Sequence, residues 1–278
     1  MMSASMSISK RSKRIKPNNP TIESCVRNRM KIFSNFLGAI GRYVILMGKV
    51  FSRPEKWGIY YRRTVSEIEA LGINSIPLVA IISVFIGAVI TLQMALTLES
   101  PFIPKYMIGY ATRETMFLEF SSTVIAIILA GKVGSNIASE IGTMRITEQI
   151  DALEIMGVNS AAYLIMPKII ATVLSFPLLA LFSMIIGTVG GYIIAMTGVV
   201  LPSEYIEGLH YCFVKGEITY SLIKMAVFAF LVTSISAFYG YYAAGNSLEV
   251  GRASTRAVVA SSIAIMISNL IITQLMRT

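Results

Sequence analysis

The sequence predicts an all-α membrane protein in which five transmembrane helices follow a helix that lies in the membrane interface. Three observations support this fold class. The 278 residues are 55% hydrophobic and only 14% charged, whereas about 25% of residues are charged in an average soluble domain. Uncharged runs long enough to cross a bilayer recur along the chain. Charged residues are concentrated in a basic N-terminal segment and in one polar insert between two apolar runs.

The N-terminal segment is strongly basic. Residues 1–63 contain 14 Lys and Arg but only two acidic residues, Glu23 and Glu55. Basic flanks favour the cytoplasmic side of a membrane, so we expect a cytoplasmic N-terminus. We interpret residues 1–34 as a basic disordered tail that meets anionic lipid. A transit peptide and a nucleic-acid-binding arm are the less favoured interpretations.

Residues 35–63 are predicted to form an interfacial amphipathic helix and its linker. Apolar side chains recur at helical spacing along residues 36–51, and Arg42 and Lys49 lie seven residues apart on another face. Residues 57–63 combine three aromatic residues with Arg62 and Arg63, a mixture typical of the headgroup level.

Residues 64–278 are predicted to form a single transmembrane domain. About 20 helical residues cross a hydrocarbon core of ~30 Å. The five candidate spans lie at about 70–98, 115–139, 169–203, 218–242 and 257–276. The second and fourth candidates are less apolar because they include Glu119, Lys132 and Lys224. We expect Lys132 to extend towards phosphates at the cytoplasmic surface, with pairing inside the protein as the alternative.

The third apolar run leaves two topologies open. It contains 35 uncharged residues, about 50 Å as a single helix, which suits one tilted span or a hairpin of two short spans. With one helix, residues 243–256 are cytoplasmic and residues 202–217 are external, and the hairpin reverses both. Basic residues favour the cytoplasmic side, so Arg252 and Arg256 in residues 243–256 favour the single helix. The preference is weak because only two residues contribute to it. Gly187 and Gly191 in this run are expected to let helices approach closely within the chain, with a contact between two copies of the chain as the alternative.

A net-acidic insert separates the second and third apolar runs. Residues 139–157 are predicted to form a short helix with an apolar stripe, while acidic residues recur every three positions from Glu148 to Glu154. A helix that lies on lipid headgroups usually displays Lys and Arg, and here Arg145 is the only basic residue. An acidic helix is better suited to a basic groove on a partner protein. A solvated helix packed on the headgroups is the alternative.

The sequence lacks the patterns of hydrolytic and metal-dependent enzymes. His210 is the only histidine, and Cys25 and Cys212 are predicted to lie on opposite sides of the membrane. Gly131-Lys132 is followed by Val, so the chain has no phosphate-binding loop for ATP. We therefore expect no catalytic residue, metal or cofactor in this chain. An intramembrane lipid-modifying enzyme and a non-transporting scaffold are the alternative functions.

Several motifs occur in order along almost the whole chain. The motifs are Val84-Phe-Ile-Gly-Ala-Val89 with Leu92-Gln93, Gly131-Lys-Val-Gly-Ser135, Ala138-Ser-Glu-Ile-Gly-Thr-Met-Arg145, Thr147-Glu-Gln-Ile-Asp-Ala-Leu-Glu-Ile-Met-Gly157 and Val250-Gly-Arg-Ala-Ser-Thr-Arg-Ala-Val-Val259. Together, over about residues 38–276, the chain resembles the MlaE-type permeases. These are the membrane subunits of lipid-transporting ABC systems that work with MCE-domain proteins. The resemblance implies five membrane helices after an interfacial elbow helix, and a single long third helix.

The resemblance also implies a role for the insert. Residues 139–157 would be a coupling helix seated in a groove of a separate ATPase subunit, which hydrolyses the ATP and moves the spans as rigid bodies. The implied contact residues are Glu140, Met144, Arg145, Glu148, Gln149, Asp151 and Glu154. Because one chain supplies only one such helix and the motor has two ATPases, we expect a homodimer. The implied activity is the movement of phospholipid-like lipids between a bacterial inner membrane and an MCE-protein conduit on its outer face.

One motif departs from the family pattern. The second span of the family commonly begins with Arg-Glu-Leu-Gly-Pro, and this chain has Leu118-Glu-Phe-Ser-Ser122, which keeps only the acid. A lone carboxylate in a span is costly unless it lines water or a headgroup cavity. Glu119 is therefore a candidate for the lipid cavity, with a carboxylate that reaches the outer interface as the alternative. Gln93 is the second candidate, with a hydrogen bond to a neighbouring helix as the alternative.

Overall fold

The computed structural model describes residues 37–52, 57–98 and 102–276, and within these ranges the chain is helical and has no β-strand. The tail predicted for residues 1–34 lies outside the described residues. The α-helices are α1 (37–51), α2 (Trp57–Glu67), α3 (Ile76–Thr97), α4 (Tyr106–Thr115), α5 (Ile125–Leu129), α6 (Ser135–Ile146), α7 (Gln149–Ile155), α8 (Ser160–Ile194), α9 (Pro202–His210), α10 (Lys215–Tyr241) and α11 (Ser247–Met276). Residues from Ile45 onwards form one compact unit.

Short segments of other helix types join several of these helices. The π-helical segments are Ile68–Gly72, Met116–Val124, Ala130–Gly134 and Ala195–Val199, and a 3-10 turn occupies Ile73–Ser75. As a result, α2 and α3 belong to one long helical path, and so do α4, α5 and α6. A π-turn inserts an extra residue without breaking the helix, and such turns often occur at functional sites.

Five helical paths are long and apolar enough to cross a membrane, which confirms the predicted number of spans. They are span 1 (Tyr60–Thr97), span 2 (Tyr106–Ile146), span 3 (Ser160–Val199), span 4 (Gly216–Tyr241) and span 5 (Ser247–Leu275). Several spans begin earlier than the hydrophobic runs indicate. In particular, most of the segment 243–256, which was predicted to precede the fifth span, forms the first turns of span 5.

The third span is a single helix, as the resemblance implied and the residues alone could not decide. Helix α8 runs without interruption for 35 residues. The Asn159 side chain caps its start and accepts a hydrogen bond from the Ala162 backbone N–H at 3.3 Å. The helical path ends near Gly198, whose φ of 92° is accessible mainly to glycine. Pro167 and Pro177 lie inside the helix without ending it.

Spans 1 and 3 pack backbone against backbone. A Cβ atom on Gly87 would overlap the carbonyl oxygen of Gly187, and one on Gly190 would overlap that of Val84. The interface also contains a hydrogen bond between the hydroxyls of Ser83 and Ser183, at 2.8 Å. The expectation that small residues of the third span serve packing within the chain is therefore confirmed for Gly187.

The insert between spans 2 and 3 is divided into two helices, in contrast to the single short helix predicted for 139–157. Helix α6 continues span 2 as far as Ile146. Glu148 then adopts a left-handed conformation with φ 59°, which interrupts the helical hydrogen bonds and turns the chain. Helix α7 follows and ends before Gly157, whose φ is 78°. Below, the segment 140–156 is called the α6–α7 corner, and its side of the bundle is the α7 end.

Candidate functional site

An ion pair closes the α6–α7 corner. The Arg145 guanidinium contacts the Asp151 carboxylate at 2.5 Å, and both side chains are partly exposed. The same guanidinium lies 6.0 Å from the centre of the Tyr241 ring, within the range of a cation–π contact. Because the two residues of the ion pair lie on either side of the turn at Glu148, the ion pair holds α7 at a defined angle to α6.

Glu154 joins α7 to spans 3 and 4. Its carboxylate accepts hydrogen bonds from the Ser160 hydroxyl and from the Tyr241 phenol, each at 2.9 Å. These two bonds lower the pKa of Glu154 below its usual 4.5, because they stabilise the ionised form. Glu154 thus attaches α7 to the bundle while the residue stays exposed, and its contact with a partner stays a prediction.

Glu140 faces the membrane helices. It accepts a hydrogen bond from the Lys168 ammonium at 2.8 Å, and the same ammonium contacts Glu67 at 2.7 Å. Lys168 is buried. Below, Glu67, Glu140 and Lys168 are called the three-span cluster, since each belongs to a different span. A buried charge of this kind is tolerated because it is paired on two sides.

Further residues contribute to the outward surface of the corner. Glu148 and Gln149 are exposed, and Ile155 and Met156 are 87% and 68% exposed. Our sequence analysis did not single out Ile155 and Met156, although both lie off the apolar stripe that α7 buries. Beside them is a cavity of about 330 Å³. Its lining includes Met144, Gln149, Leu153, Met156 and Tyr163.

Within the spans, Glu119 is paired, which corrects the expectation of a lone carboxylate. The Lys224 ammonium lies 3.0 Å from its Oε1 and is completely buried. The carboxylate also accepts hydrogen bonds from the Asn269 amide and the Thr123 hydroxyl, each at 3.2 Å. Below, Glu119, Lys224 and Asn269 are called the polar cluster of spans 2, 4 and 5. Glu119 remains 41% exposed, so the cluster is open on one side.

Gln93, the second cavity candidate, is not part of this cluster. Its side chain is exposed near the end of span 1. Within the described part of the chain, no hydrogen bond joins the Gln93 side chain to the polar cluster. The structure therefore does not bring the two candidates together.

Arg113 is a structural residue that the sequence analysis did not identify. It is only 1% exposed, and its Nη1 donates to the carbonyl oxygens of Leu209 and Tyr211, both at 2.8 Å. It thereby fixes the loop after α9, at the end of the bundle opposite to α7. From the sequence, Arg113 was placed in the membrane domain but just before the predicted start of span 2 at Thr115. The side chain is held by a loop almost a hundred residues away, which no local pattern reveals.

The spans and their ion pairs define a multi-pass α-helical membrane protein with charged residues inside the membrane. Such residues are costly in hydrocarbon and commonly mark transport routes. Among the described residues, no group of three or more His, Cys, Asp or Glu is arranged to hold a metal ion.

Comparison with known proteins identifies the family. Residues 64–275 match the family model for permease MlaE, and the chain belongs to this family. It is 35% identical to a probable ABC transporter permease protein of Rickettsia bellii, over 85% of this chain and 92% of that protein. It is 28% identical to the intermembrane phospholipid transport system permease protein MlaE of Haemophilus influenzae, over 87% and 97% respectively. It is also 29% identical to the chloroplastic protein TRIGALACTOSYLDIACYLGLYCEROL 1 of Arabidopsis thaliana, over 82% of this chain and 65% of that protein. Family membership confirms the prediction of a permease subunit rather than an enzyme.

Proposed function

We propose that this chain is the membrane permease of an ABC transporter that moves phospholipid-like lipids between a bacterial inner membrane and an MCE-protein conduit, with ATP hydrolysed by a separate subunit. The observation that carries the proposal is the family match across all five spans. The names of the Rickettsia and Haemophilus relatives support the transporter class, and the latter supports a phospholipid cargo.

The α6–α7 corner is the proposed contact with the ATPase. Ile155 and Met156 present apolar surface to the outside beyond the spans, and apolar side chains of this kind contribute most when a partner buries them. Glu148 and Gln149 supply polar contacts around them, and Met144 lines the adjoining cavity. These residues are the proposed docking surface.

The other four predicted coupling residues are proposed to transmit movement rather than to dock. Arg145 and Asp151 hold α7 against α6. Glu154 attaches α7 to spans 3 and 4, and Glu140 connects span 2 to spans 1 and 3 through the three-span cluster. A displacement of α7 would therefore act on four spans at once, as expected for coupling between two sites.

Span 5 is the proposed contact with a second copy of the chain. Only 11% of its most apolar stretch is buried, compared with 50–56% in spans 2 to 4. Large apolar side chains are exposed along it, namely Val259, Ile263, Met266, Ile267, Leu270 and Ile271. A homodimer built on span 5 would place the open side of Glu119 in a cavity between the copies. There the exposed carboxylate could attract the ammonium of a lipid headgroup, while Lys224 holds it in place from the buried side.

The N-terminus and the α7 end are proposed to be cytoplasmic. The basic N-terminal segment supports this orientation, and an ATPase partner requires it. Helix α1 is then an interfacial elbow on the cytoplasmic side, and α9 lies on the outer face, where an MCE-domain protein would bind. Bacterial relatives support an inner-membrane location. The alternative location is a plastid membrane, because the Arabidopsis relative is a chloroplastic protein.

The test is co-purification with the partner ATPase, followed by measurement of ATP hydrolysis with and without phospholipid. We expect Ile155→Asp with Met156→Asp to abolish co-purification while the protein remains in the membrane. Phe213→Asp is the matched control, because Phe213 is an exposed apolar residue at the other end of the bundle. Unchanged co-purification would exclude this docking surface. Lipid conversion without an ATPase would indicate an enzyme, and an ATPase complex that lipid does not stimulate would indicate a scaffold.

A further inference from the structure

A polar cavity of about 530 Å³ lies between spans 1, 2 and 5, in the half of the bundle that ends at α7. It is distinct from the polar cluster around Glu119 and from the α6–α7 corner. Its polar lining includes Asn74, Ser75, Lys132, Ser135, Asn136 and Ser139. Binding sites for small ligands commonly have volumes of about 300–1,000 Å³ and a few converging polar groups.

Lys132 is the only charged residue in this lining. Its ammonium donates a hydrogen bond to the backbone carbonyl oxygen of Asn74, across the cavity. An ammonium has three protons, so two remain for a ligand. Since no acidic side chain lines the cavity, its local charge is positive and selects an anion.

Three further side chains in the lining are available to an anion. Within the described part of the chain, the amides of Asn74 and Asn136 and the hydroxyl of Ser139 form no hydrogen bond to another residue. All three can donate to anionic oxygen atoms. The hydroxyl of Ser135, in contrast, donates to the carbonyl oxygen of Lys132 at 3.1 Å and helps to hold the cavity wall.

Both walls depart from α-helical geometry at the cavity. Span 1 passes through a π-turn at Ile68–Gly72 and a 3-10 turn at Ile73–Ser75, and span 2 passes through a π-turn at Ala130–Gly134. Such irregular turns shift side chains from their regular helical positions and often accompany binding sites. Two independent spans thus deviate from regular geometry where they face each other.

The depth of the cavity matches the level of lipid headgroups. Span 2 has 41 residues, roughly 60 Å, and a hydrocarbon core is ~30 Å thick. If the span is centred, about 15 Å extends beyond the core at each end. Lys132 lies about 20 Å from the end of the span at Ile146, and Asn74 lies about 20 Å from the start of span 1 at Tyr60. Span 1 has 38 residues, so by the same reasoning Lys132 and Asn74 lie roughly 5–7 Å inside the hydrocarbon boundary, a depth from which a lysine side chain extends to the headgroups.

We propose that this cavity binds the phosphate group of a phospholipid in the leaflet at the α7 end, with Lys132 as the charged ligand and Asn74, Asn136 and Ser139 as additional donors. The Lys132 ammonium pairs with the phosphate, in line with the use of lysine as a point-charge ligand for phosphate. The proposal does not depend on lipid transport, because a lipid bound here could equally be a permanent component of the protein.

The test is photo-crosslinking from a benzophenone amino acid at position 70 in the full chain, reconstituted with phosphatidylglycerol. Ala70 is an exposed residue of the cavity lining and is not one of the proposed donors. Mass spectrometry would quantify the captured lipid. We expect Lys132→Gln to reduce capture about tenfold, the effect of losing one charge-assisted hydrogen bond, and Lys132→Arg to retain most of it. Diacylglycerol, which lacks the phosphate, should be captured poorly.

Two controls separate the possible outcomes. A benzophenone at the exposed Leu178 of span 3 measures capture of bulk lipid, which Lys132→Gln should leave unchanged. Competition with inorganic phosphate distinguishes a soluble ligand from a lipid. Equal capture by the unmodified chain and the Lys132→Gln variant, or equal capture of diacylglycerol, would overturn the phosphate site. Displacement of the lipid by millimolar inorganic phosphate would overturn a lipid as its source.

Discussion

The Lys224 ammonium lies 3.0 Å from the Glu119 carboxylate, and the lysine is completely buried while the acid is 41% exposed. The exposed partner is the one that a ligand can reach. The buried partner supplies a counter-charge to the acid from inside the bundle. Two residues 105 positions apart therefore form one unit.

The first prediction concerns this pair. Glu119→Leu should lower the free energy of unfolding by about 3 kcal/mol, because it leaves the Lys224 ammonium buried without its counter-charge. Adding Lys224→Met should restore most of the loss, since two apolar side chains can replace a buried ion pair. Thermal unfolding in detergent measures both. Glu207→Leu, at an exposed acid of α9, is the control and should change little. A double variant no more stable than Glu119→Leu would contradict the prediction.

The second prediction concerns the pH dependence of the α7 attachment. Hydrogen bonds from Ser160 and Tyr241 lower the pKa of Glu154 below 4.5 in the folded state. The attachment is therefore fully stabilising above the usual pKa and is lost as the pH falls through the lowered value. Tyr241→Phe removes one donor and raises the folded-state pKa, so α7 should detach at a higher pH.

Distances between spin labels at Ala152 and Leu248, followed over a pH series, would measure this detachment. The matched control is Tyr239→Phe, which lies two residues before Tyr241 in the same span. It removes a phenol hydroxyl that forms no hydrogen bond with the described residues. We expect it to leave the midpoint unchanged. The same midpoint for Tyr241→Phe and the unmodified chain would show that Glu154 does not hold α7.

The third prediction concerns the contact between spans 1 and 3. Gly87→Ala should lower the free energy of unfolding by about 1–3 kcal/mol, because the added methyl group meets the rigid backbone of Gly187. Gly131→Ala is the control, since its methyl group would have no neighbour within 4 Å. Unfolding midpoints from size-exclusion chromatography after heating would compare the two. Equal midpoints would contradict the close backbone packing.

The fourth prediction concerns Arg113 and the loop after α9. Arg113→Lys keeps the charge but loses the planar guanidinium. The flexible ammonium cannot reproduce the fixed geometry in which Nη1 donates two hydrogen bonds of 2.8 Å to the loop. The loop should become about tenfold more sensitive to cleavage by chymotrypsin at Tyr211 or Phe213. Lys105→Ala removes an exposed charge near the same end and should have no effect. Unchanged cleavage in Arg113→Lys would mean that other contacts hold the loop.

The sequence predicted the number of spans because hydrocarbon demands long uncharged helices that satisfy their own backbone hydrogen bonds. Hydrophobicity did not predict where the helices end. Span 5 begins at Ser247, ten residues before the position expected, because polar helical turns outside the hydrocarbon do not differ in composition from a loop. The break at Glu148 was also not predicted, because it depends on a single left-handed residue.

The acidic residues of the insert illustrate the same limit at the candidate site. Their spacing indicated an acidic surface for a partner, and this stays a prediction. The spacing did not indicate that Glu140 and Glu154 also contact groups from other spans. Lys168 and Tyr241 lie 28 and 87 positions away from these acids. Which charge is free for a partner depends on contacts that chain folding creates, and local spacing contains no information about them.

From the sequence alone, the chain is determined to be a five-span permease, because apolar run length and ordered motifs are local properties of the residues. The tertiary structure decided which polar groups face each other. It paired Glu119 with Lys224 and Lys168 with Glu67 and Glu140, and it left Lys132 at the wall of a polar cavity. The physical reason is that a charge inside a membrane protein must find a partner, and only the packing of the spans determines which partner is within reach.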